Sequence, residues 1–251
     1  MARLYTSHAE LYDVVYQWKD YEGETARVVA LLEARGIGPG SRVLEAACGT
    51  GRYLALLRAQ YEVAGFDLSP QMLAVARRRL PGVDLWEADL ALVSPEQVGQ
   101  GYDAVVCLFS GIGYLWPEPR LRAAIAGLAR LLRPGGVLLL EPWLREKDYR
   151  VGRPSLQTAA LPSLDAPDPD LYVARGGVSG LREDNGLRIS VMDLHYLVIP
   201  RGGPVERFEE RHELWLCPEE TLRAAFVDAG LAVEVLESGL MTGRGLFLGR
   251  R

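Results

Sequence analysis

Arg42-Val43-Leu44-Glu45-Ala46-Ala47-Cys48-Gly49-Thr50-Gly51 is the stretch that decides the fold of this chain. Val43 and Leu44 are apolar and bounded by turn residues, the pattern of a short central strand in a parallel sheet. Glu45 stands at the carboxyl end of that strand. Gly49 and Gly51 have no β-carbon, so the backbone can turn tightly and a ligand can lie against it. The amides that open the next helix then face the crevice at the strand's end. A turn of this kind holds a nucleotide-like cofactor, or it is a tight strand–helix connection that binds nothing.

The dinucleotide fingerprint is only partly present. It asks for glycines at three fixed offsets, and Tyr53 follows Gly51 with no third glycine nearby. The form here is acidic-x-x-x-Gly-x-Gly, the shape seen in S-adenosylmethionine methyltransferases. Glu62-Val63-Ala64-Gly65-Phe66-Asp67-Leu68-Ser69-Pro70 repeats the theme: a strand ends in an acid, Ser69 can cap the next helix, and Pro70 suits its first position. A carboxylate at Asp67 has two acceptor oxygens for the two hydroxyls of a ribose. A third strand at 83–86 ends near Asp89-Leu90, placed for an adenine edge. A lone Asp at such a place is commonly a solvated turn residue. Recurrence of acids at successive strand ends points instead to a nucleoside site.

Strand–helix alternation continues along the chain. Helices are expected at 51–59, 70–80 and 119–132, the last stopped by Pro134-Gly135-Gly136, and strands at 102–108 and 137–141. Five such strands predict a doubly wound parallel sheet whose carboxyl ends share one rim. The alternation then breaks. Residues 154–170 are proline-rich and read as a loop, followed by extended runs at 171–181, 187–199 and 205–216. Asp184-Asn185-Gly186 is a strong hairpin turn and Arg201-Gly202-Gly203-Pro204 a second. The frame resumes with a helix at 218–229 and strands at 231–236 and 245–249.

The expected organisation is therefore an α/β chain: a Rossmann-like, doubly wound, seven-stranded and mostly parallel sheet with a small antiparallel β insertion after strand five. Residues 1–35 form an N-terminal helical cap, in which Leu11, Tyr12, Val15 and Tyr16 fall at helical spacing. Residues 36–141 and 218–251 form the core, and 142–217 the inserted sheet over the open rim.

Composition narrows the function. In 251 residues with 49% hydrophobic side chains there is enough apolar material for one core of ordinary size. A net charge of −5 offers no electrostatic footprint for nucleic acid or anionic membrane. Cys48, Cys107 and Cys217 are odd in number and lack metal spacing, which suits a reducing cytoplasm and predicts neither disulfide framework nor metal site. No long apolar span is present, so no membrane partner is expected.

Several stretches recur in one order: Leu11-Tyr12-Asp13, Lys19-Asp20-Tyr21, Glu45 to Gly51, Phe109-Ser110-Gly111-Ile112-Gly113-Tyr114, Glu141-Pro142-Trp143 and Gly243-Arg244-Gly245-Leu246-Phe247. With them the chain resembles class I S-adenosylmethionine-dependent methyltransferases, and more narrowly the N,N-dimethyltransferases of nucleotide-linked amino sugars, the desosamine and mycaminose type. The resemblance implies S-adenosylmethionine as cofactor, S-adenosylhomocysteine as product and a small-molecule amine as acceptor, with a homodimer allowed. It implies that Tyr12 and Tyr114 face the amine and that Trp143 and Arg244 lie near the sugar nucleotide, Arg244 suiting its pyrophosphate. In some relatives the Tyr114 position is histidine, and Val178-Ser179-Gly180 lacks a histidine that relatives carry. These departures bear on the substrate rather than on methyl transfer.

The expected cofactor site comprises Glu45, Gly49, Gly51, Asp67, Met72 and Asp89, with Tyr21, Ala46, Leu68, Leu90, Leu108 and Phe109 beside them. Ser110 joins Trp143 and Arg244 on the substrate side, and Tyr12 and Tyr114 are the catalytic candidates. Methyl transfer is an in-line displacement from a neutral leaving group, so the protein mainly aligns the nucleophile and excludes water. A tyrosine or carboxylate near the amine can take its proton or orient its lone pair. His195 and His212 lie on inserted strands and read as structural, and Arg77-Arg78-Arg79 as a solvated helix end favoured by the dipole. Rival readings are O- or C-methylation of another metabolite, a non-catalytic S-adenosylmethionine-binding module, and a dinucleotide oxidoreductase on the same frame.

Overall fold

Chain order explains the architecture. In the computed structural model, which describes residues 2–165 and 167–251, two short 3-10 turns (Arg3–Tyr5 and Ala9–Leu11) precede helices α1 (Tyr12–Val15) and α2 (Tyr21–Glu33). Strand β1 (Arg42–Ala46) then opens the alternation: α3 (Arg52–Leu57), β2 (Glu62–Asp67), α4 (Pro70–Arg79), β3 (Asp84–Glu87), α5 (Pro95–Val98), β4 (Tyr102–Cys107), α6 (Glu118–Leu131) and β5 (Leu132–Leu140). Four extended segments follow: β6 (Pro154–Leu161), β7 (Leu171–Asp184), β8 (Leu187–Pro200) and β9 (Glu206–Trp215). Helix α7 (Glu219–Asp228) and strands β10 (Ala232–Leu236) and β11 (Leu246–Arg250) close the chain. Met1, at the start of the expected cap, and Ala166, in the proline-rich stretch, lie outside the described residues.

The chain divides into two compact units: Met1–Lys19 with Arg150–Glu213, and Asp20–Tyr149 with Leu214–Arg251. The larger unit is built on a seven-stranded sheet in the order β10-β11-β5-β4-β1-β2-β3. β1 lies parallel between β2 and β4, with Glu45 opposite Gly65 on one side and Val106 on the other. β4–β5 and β2–β3 are also parallel, and only β11, antiparallel to both β5 and β10, reverses. This is the Rossmann-like, mostly parallel sheet that the alternation predicts. Chain order reverses direction between β1 and β4, and the crevice this leaves at the strands' carboxyl ends is where such sheets bind ligands.

α2 belongs to this unit rather than to a cap spanning residues 1–35. Its Val28 and Leu32 are fully buried and pack in one cluster with Val43, Leu57, Val106 and Leu139. Asp20 caps the helix, its Oδ1 accepting from the Gly23 amide at 2.9 Å. Ser69 caps α4 as expected, its hydroxyl accepting from Met72 N–H at 3.1 Å. The Pro134-Gly135-Gly136 stop is not a loop between helix and strand, because α6 turns straight into β5 at Leu132. The register against β4 shifts between Tyr102 and Ala104, and that irregularity accommodates the proline and glycines within the strand.

The smaller unit carries a four-stranded antiparallel sheet, β6-β7-β8-β9. Here the proline-rich reading needs correction: 154–161 is an edge strand paired with β7, not loop. Its proline sits at the first position, where a missing N–H is tolerated, and the flanking prolines hid a weakly patterned run. The β7–β8 hairpin turns at Asn185 (φ 48°) and Gly186 (φ 81°), the pair of left-handed residues that a two-residue hairpin requires. The expected N-terminal helix is short. α1 packs on β6 and β7, and the 3-10 turn before it is anchored by Glu210, whose Oε2 accepts from Leu4 N–H at 3.0 Å. The other Glu210 oxygen accepts from Tyr196 at 2.8 Å and from His212 at 2.9 Å. Burial works to raise the Glu210 carboxyl, and these donors outweigh it and hold it below its ordinary value. His212 is thus a structural partner, as its place on an inserted strand suggested.

Candidate active site

The turn after β1 leaves regular geometry at once. Ala47 (φ 55°), Gly49 (φ 54°) and Gly51 (φ 73°) are all left-handed. Two of the three are glycines, for which this region is free of strain, while Ala47 is held there against its preference. The two glycines differ in what surrounds them. A β-carbon at Gly51 would lie 2.7 Å from Leu80 Cδ1 and 3.3 Å from Ala76 Cβ, so this glycine lets α4 pack against the turn. A β-carbon at Gly49 would meet only the methyl of Met72, at 3.3 Å. Gly49 therefore keeps the turn open on the crevice side and Gly51 closes it on the core side.

Two carboxylates stand over this turn. Glu45 is 2% exposed, and its Oε2 is buried with no hydrogen-bond partner among the described residues. Burial, and then the nearby charge of Asp67, push its carboxyl well above the ordinary carboxylate range. Asp67 Oδ2 accepts from Gly49 N–H at 2.8 Å and Oδ1 from Ser69 N–H at 2.9 Å. Burial raises its pKa against the opposing pull of the Ser69, Gly49 and Leu68 amides. Asp67 thus ties the glycine turn to the start of α4 and keeps acceptor capacity for a ligand hydroxyl.

A buried carboxylate with an orphaned oxygen is costly unless something cationic or hydrogen-donating arrives. That oxygen is the structure's own test of the expected cofactor, whose amino-acid end carries an ammonium. The residues fit it: an open glycine turn, a carboxylate with one oxygen lacking a donor among the described residues, and a second carboxylate with acceptor capacity.

The other expected cofactor residues are distributed along the same rim. Met72 is 2% exposed against the turn, Leu68 at the end of β2 is 48% exposed, and Ala46, Leu90 and Leu108 are buried. Asp89 accepts from Ala91 N–H at 2.8 Å and faces Arg120 at 3.6 Å. Tyr21 packs edge-on against Tyr53 at 5.0 Å with the Arg52 guanidinium 4.6 Å over its ring, and Tyr53 donates to Glu24. Cys107, in the core of β4, is fully buried, and burial pushes its thiol up to about 12.

On the far side of β4 the backbone is again left-handed, at Phe109 (φ 53°) and Ser110 (φ 66°). Non-glycine residues in this region cluster at functional sites because surrounding contacts must hold them there. Glu141, fully buried at the end of β5, supplies one such contact: its Oε2 accepts from Phe109 N–H at 3.1 Å. Ser110 supplies the other, donating its hydroxyl to the Pro142 carbonyl at 2.8 Å. Arg244, 5% exposed, reaches Glu141 Oε2 at 3.4 Å and lies between the rings of Trp143 (4.9 Å) and Phe109 (5.4 Å). Its Nε is buried with no partner among the described residues.

The structure therefore gathers Phe109, Ser110, Trp143 and Arg244, four expected site residues, around one that sequence reasoning quoted but gave no role, Glu141. The signal was present: an apolar strand ending in an acid, as at Glu45 and Asp67. Tyr114, partly exposed, sits in the 3-10 turn Gly111–Tyr114 that continues from Ser110. Tyr12 lies in the other unit, where its ring contacts Tyr5 and Tyr16. A surface cavity of about 600 Å³ also lies in that unit, lined by residues that include Arg3, His195 and Phe208. No orphaned buried polar atom marks it among the described residues, so the rim of the large sheet is the stronger site.

Comparison with known proteins identifies the family to which this fold belongs. A methyltransferase-domain family model matches residues 43–136. The chain is 36% identical to the dTDP-3-amino-3,4,6-trideoxy-alpha-D-glucopyranose N,N-dimethyltransferase of Streptomyces venezuelae over 96% of this chain and 97% of that one. Among solved structures it is similar to Streptomyces venezuelae DesVI, at 36% identity and a TM-score of 0.85 over 96% of this chain and 97% of that one. It is also similar to CalS10 with bound SAM, an amino pentose methyltransferase from Micromonospora echinaspora, at 32% identity and a TM-score of 0.80 over 98% and 97%.

Proposed function

Because the chain belongs to the S-adenosylmethionine-dependent N,N-dimethyltransferases of nucleotide-linked amino sugars, we propose that it methylates the amine of a dTDP-linked amino sugar. The observation that carries the cofactor half of this reading is the orphaned Glu45 oxygen beside the glycine turn. Glu45 would receive the cofactor's ammonium, Asp67 its ribose hydroxyls and Asp89 its adenine edge. Leu68, Met72 and Leu90 would flank the adenine, with Ala46, Gly49, Gly51, Leu108, Phe109 and Tyr21 around the remainder. When bound, the cofactor supplies an electrophilic methyl on a neutral leaving group.

What remains for the protein is to present an unprotonated amine in line and to keep water away. Arg244 and Trp143 suit the acceptor's diphosphate end: the guanidinium has an unused donor and is held between two rings. Ser110 helps to fix the turn beside them. Tyr114 and Tyr12 are the proposed tyrosines for the amine. For Tyr12 the support is the likeness of the Leu11-Tyr12-Asp13 stretch to the family.

Acidic composition and the dTDP-linked amino sugars in the relatives' names favour a small molecule over nucleic acid, and no helix among the described residues is long and apolar enough to cross a membrane. Three free cysteines support a reducing, cytoplasmic setting. A homodimer is compatible with this reading.

The test is direct. Purified protein with S-adenosylmethionine and a dTDP-amino sugar is expected to give product heavier by one and then two methyl groups, with S-adenosylhomocysteine formed in step. Binding of S-adenosylhomocysteine without turnover on amine, hydroxyl or carboxylate acceptors would leave a sensing module. Turnover on a hydroxyl or carboxylate alone would move the chemistry to O-methylation.

A further inference from the structure

Glu141 is a buried carboxylate held by three donors from two chain segments distant from it in sequence. Its Oε2 accepts from Phe109 N–H (3.1 Å) after β4 and from Arg244 Nη1 (3.4 Å) before β11. Its Oε1 accepts from Met241 N–H at 3.1 Å. It is fully buried and Arg244 nearly so. A guanidinium brought out of water stays there only if a carboxylate compensates it, and removing that carboxylate releases or reorients the cation. Meanwhile Arg244 Nε, also buried, makes no hydrogen bond to any of the described residues. One part of the guanidinium is thus engaged by Glu141 and a donor on it is left over, while the Phe109 and Trp143 rings lie within cation–π distance of it.

We propose that Glu141 is a positioning residue for acceptor recognition: it aims the free donor of Arg244 at the anionic part of the acceptor and sets specificity for phosphate-bearing over phosphate-free amines. This rests on the reading of the acceptor given above. Glu141 touches neither cofactor nor acceptor; it acts through Arg244. Its bond to Phe109 gives it a second, purely structural duty in the turn, so the experiment must separate the two.

The experiment compares wild type with Glu141→Gln on two acceptors: a dTDP-amino sugar, and the same amino sugar as its methyl glycoside, which carries no phosphate. Glutamine keeps the size but places an amide donor against one of the three donors. Disturbing the Phe109 turn alone would slow both acceptors alike. Loss of the aim of Arg244 would penalise only the first. The expected result is a rise of roughly tenfold or more in KM for the nucleotide acceptor. On the glycoside, kcat/KM should agree with wild type within about twofold, and so should affinity for S-adenosylhomocysteine.

Calorimetry with dTDP alone gives a readout independent of turnover and should show the same roughly tenfold weakening. Equal losses on both acceptors, or undiminished dTDP binding in the variant, would overturn the assignment. Wild type that binds dTDP but methylates neither acceptor would overturn the acceptor reading instead, and the dTDP comparison would still decide the role of Glu141. If Glu141→Gln does not fold, Glu141→Asp keeps the charge on a shorter stem and must show the same split between acceptors.

Discussion

Glu45→Gln is expected to abolish tight cofactor binding while making the empty protein more stable. The two effects have one origin. Glu45 is buried, one of its oxygens has no donor among the described residues, and Asp67 stands nearby. Its folded pKa is therefore raised, and the sign of the linkage follows: the carboxyl is compatible with folding below its ordinary pKa and costs stability as pH rises through the raised value. Glutamine carries no charge and avoids that cost. The melting temperature of the variant should exceed that of wild type, by a margin that grows from acidic to alkaline pH.

For binding, the same carboxylate is the natural partner of the ligand's ammonium, a charge-assisted hydrogen bond that contributes about 1.5–3 kcal/mol. Calorimetry with S-adenosylhomocysteine should show affinity reduced by roughly 10- to 100-fold in the variant. In wild type, affinity should weaken as pH falls, because a protonated Glu45 must first lose its proton. Binding should accordingly release protons, detectable as a dependence of the heat on the buffer, and this dependence should vanish in the variant. A variant that binds as tightly as wild type, or that is less stable at alkaline pH, would contradict this role for Glu45.

Gly51→Ala should unfold the protein far more readily than Gly49→Ala. Both positions are left-handed, at φ 73° and 54°, so each alanine meets about 1–2 kcal/mol of backbone strain. Only at Gly51 does the new methyl also collide with packed aliphatic atoms, Leu80 Cδ1 at 2.7 Å and Ala76 Cβ at 3.3 Å. Overpacking of that kind adds about 1–3 kcal/mol. At Gly49 the neighbour is the flexible end of Met72, which can move aside. Thermal denaturation should therefore place Gly51→Ala about 5–15 °C below wild type and Gly49→Ala only a few degrees below. Cofactor affinity should behave in the opposite sense, with Gly49→Ala binding weakly for its modest stability loss because its methyl faces the crevice. Equal stability losses would show that the two glycines do not divide the turn as described.

The parts of the candidate site that were legible in the sequence share one feature. Glu45 and Asp67 each end a short apolar run and precede a turn with a recognisable helix start, so strand, acid and cap announce one another. Asn185-Gly186 was legible for a similar reason, since few residue pairs accept two left-handed conformations in succession.

What stayed hidden depends on contacts between distant segments. Ala47, Phe109 and Ser110 carry β-carbons and give no hint that they are left-handed. Phe109 and Ser110 are held so by Glu141 and the Pro142 carbonyl, some thirty residues away. Glu141 looked like one more strand-end acid, and its part as a hub appears only when Met241 and Arg244 fold back onto it. The edge strand β6 was masked by its prolines and supplied with its pattern only by pairing to β7. The N-terminal boundary was misplaced because α2 carries a buried face, Val28 and Leu32, that belongs to the core of the large sheet.

A crystal structure of the protein with S-adenosylhomocysteine decides whether the glycine turn and its two carboxylates hold the cofactor. The ligand's ammonium is expected within hydrogen-bond reach of Glu45 Oε2, its ribose hydroxyls on Asp67, and its backbone against Gly49. Density for the ligand elsewhere, or at the turn with that Glu45 oxygen still unpaired, would contradict it.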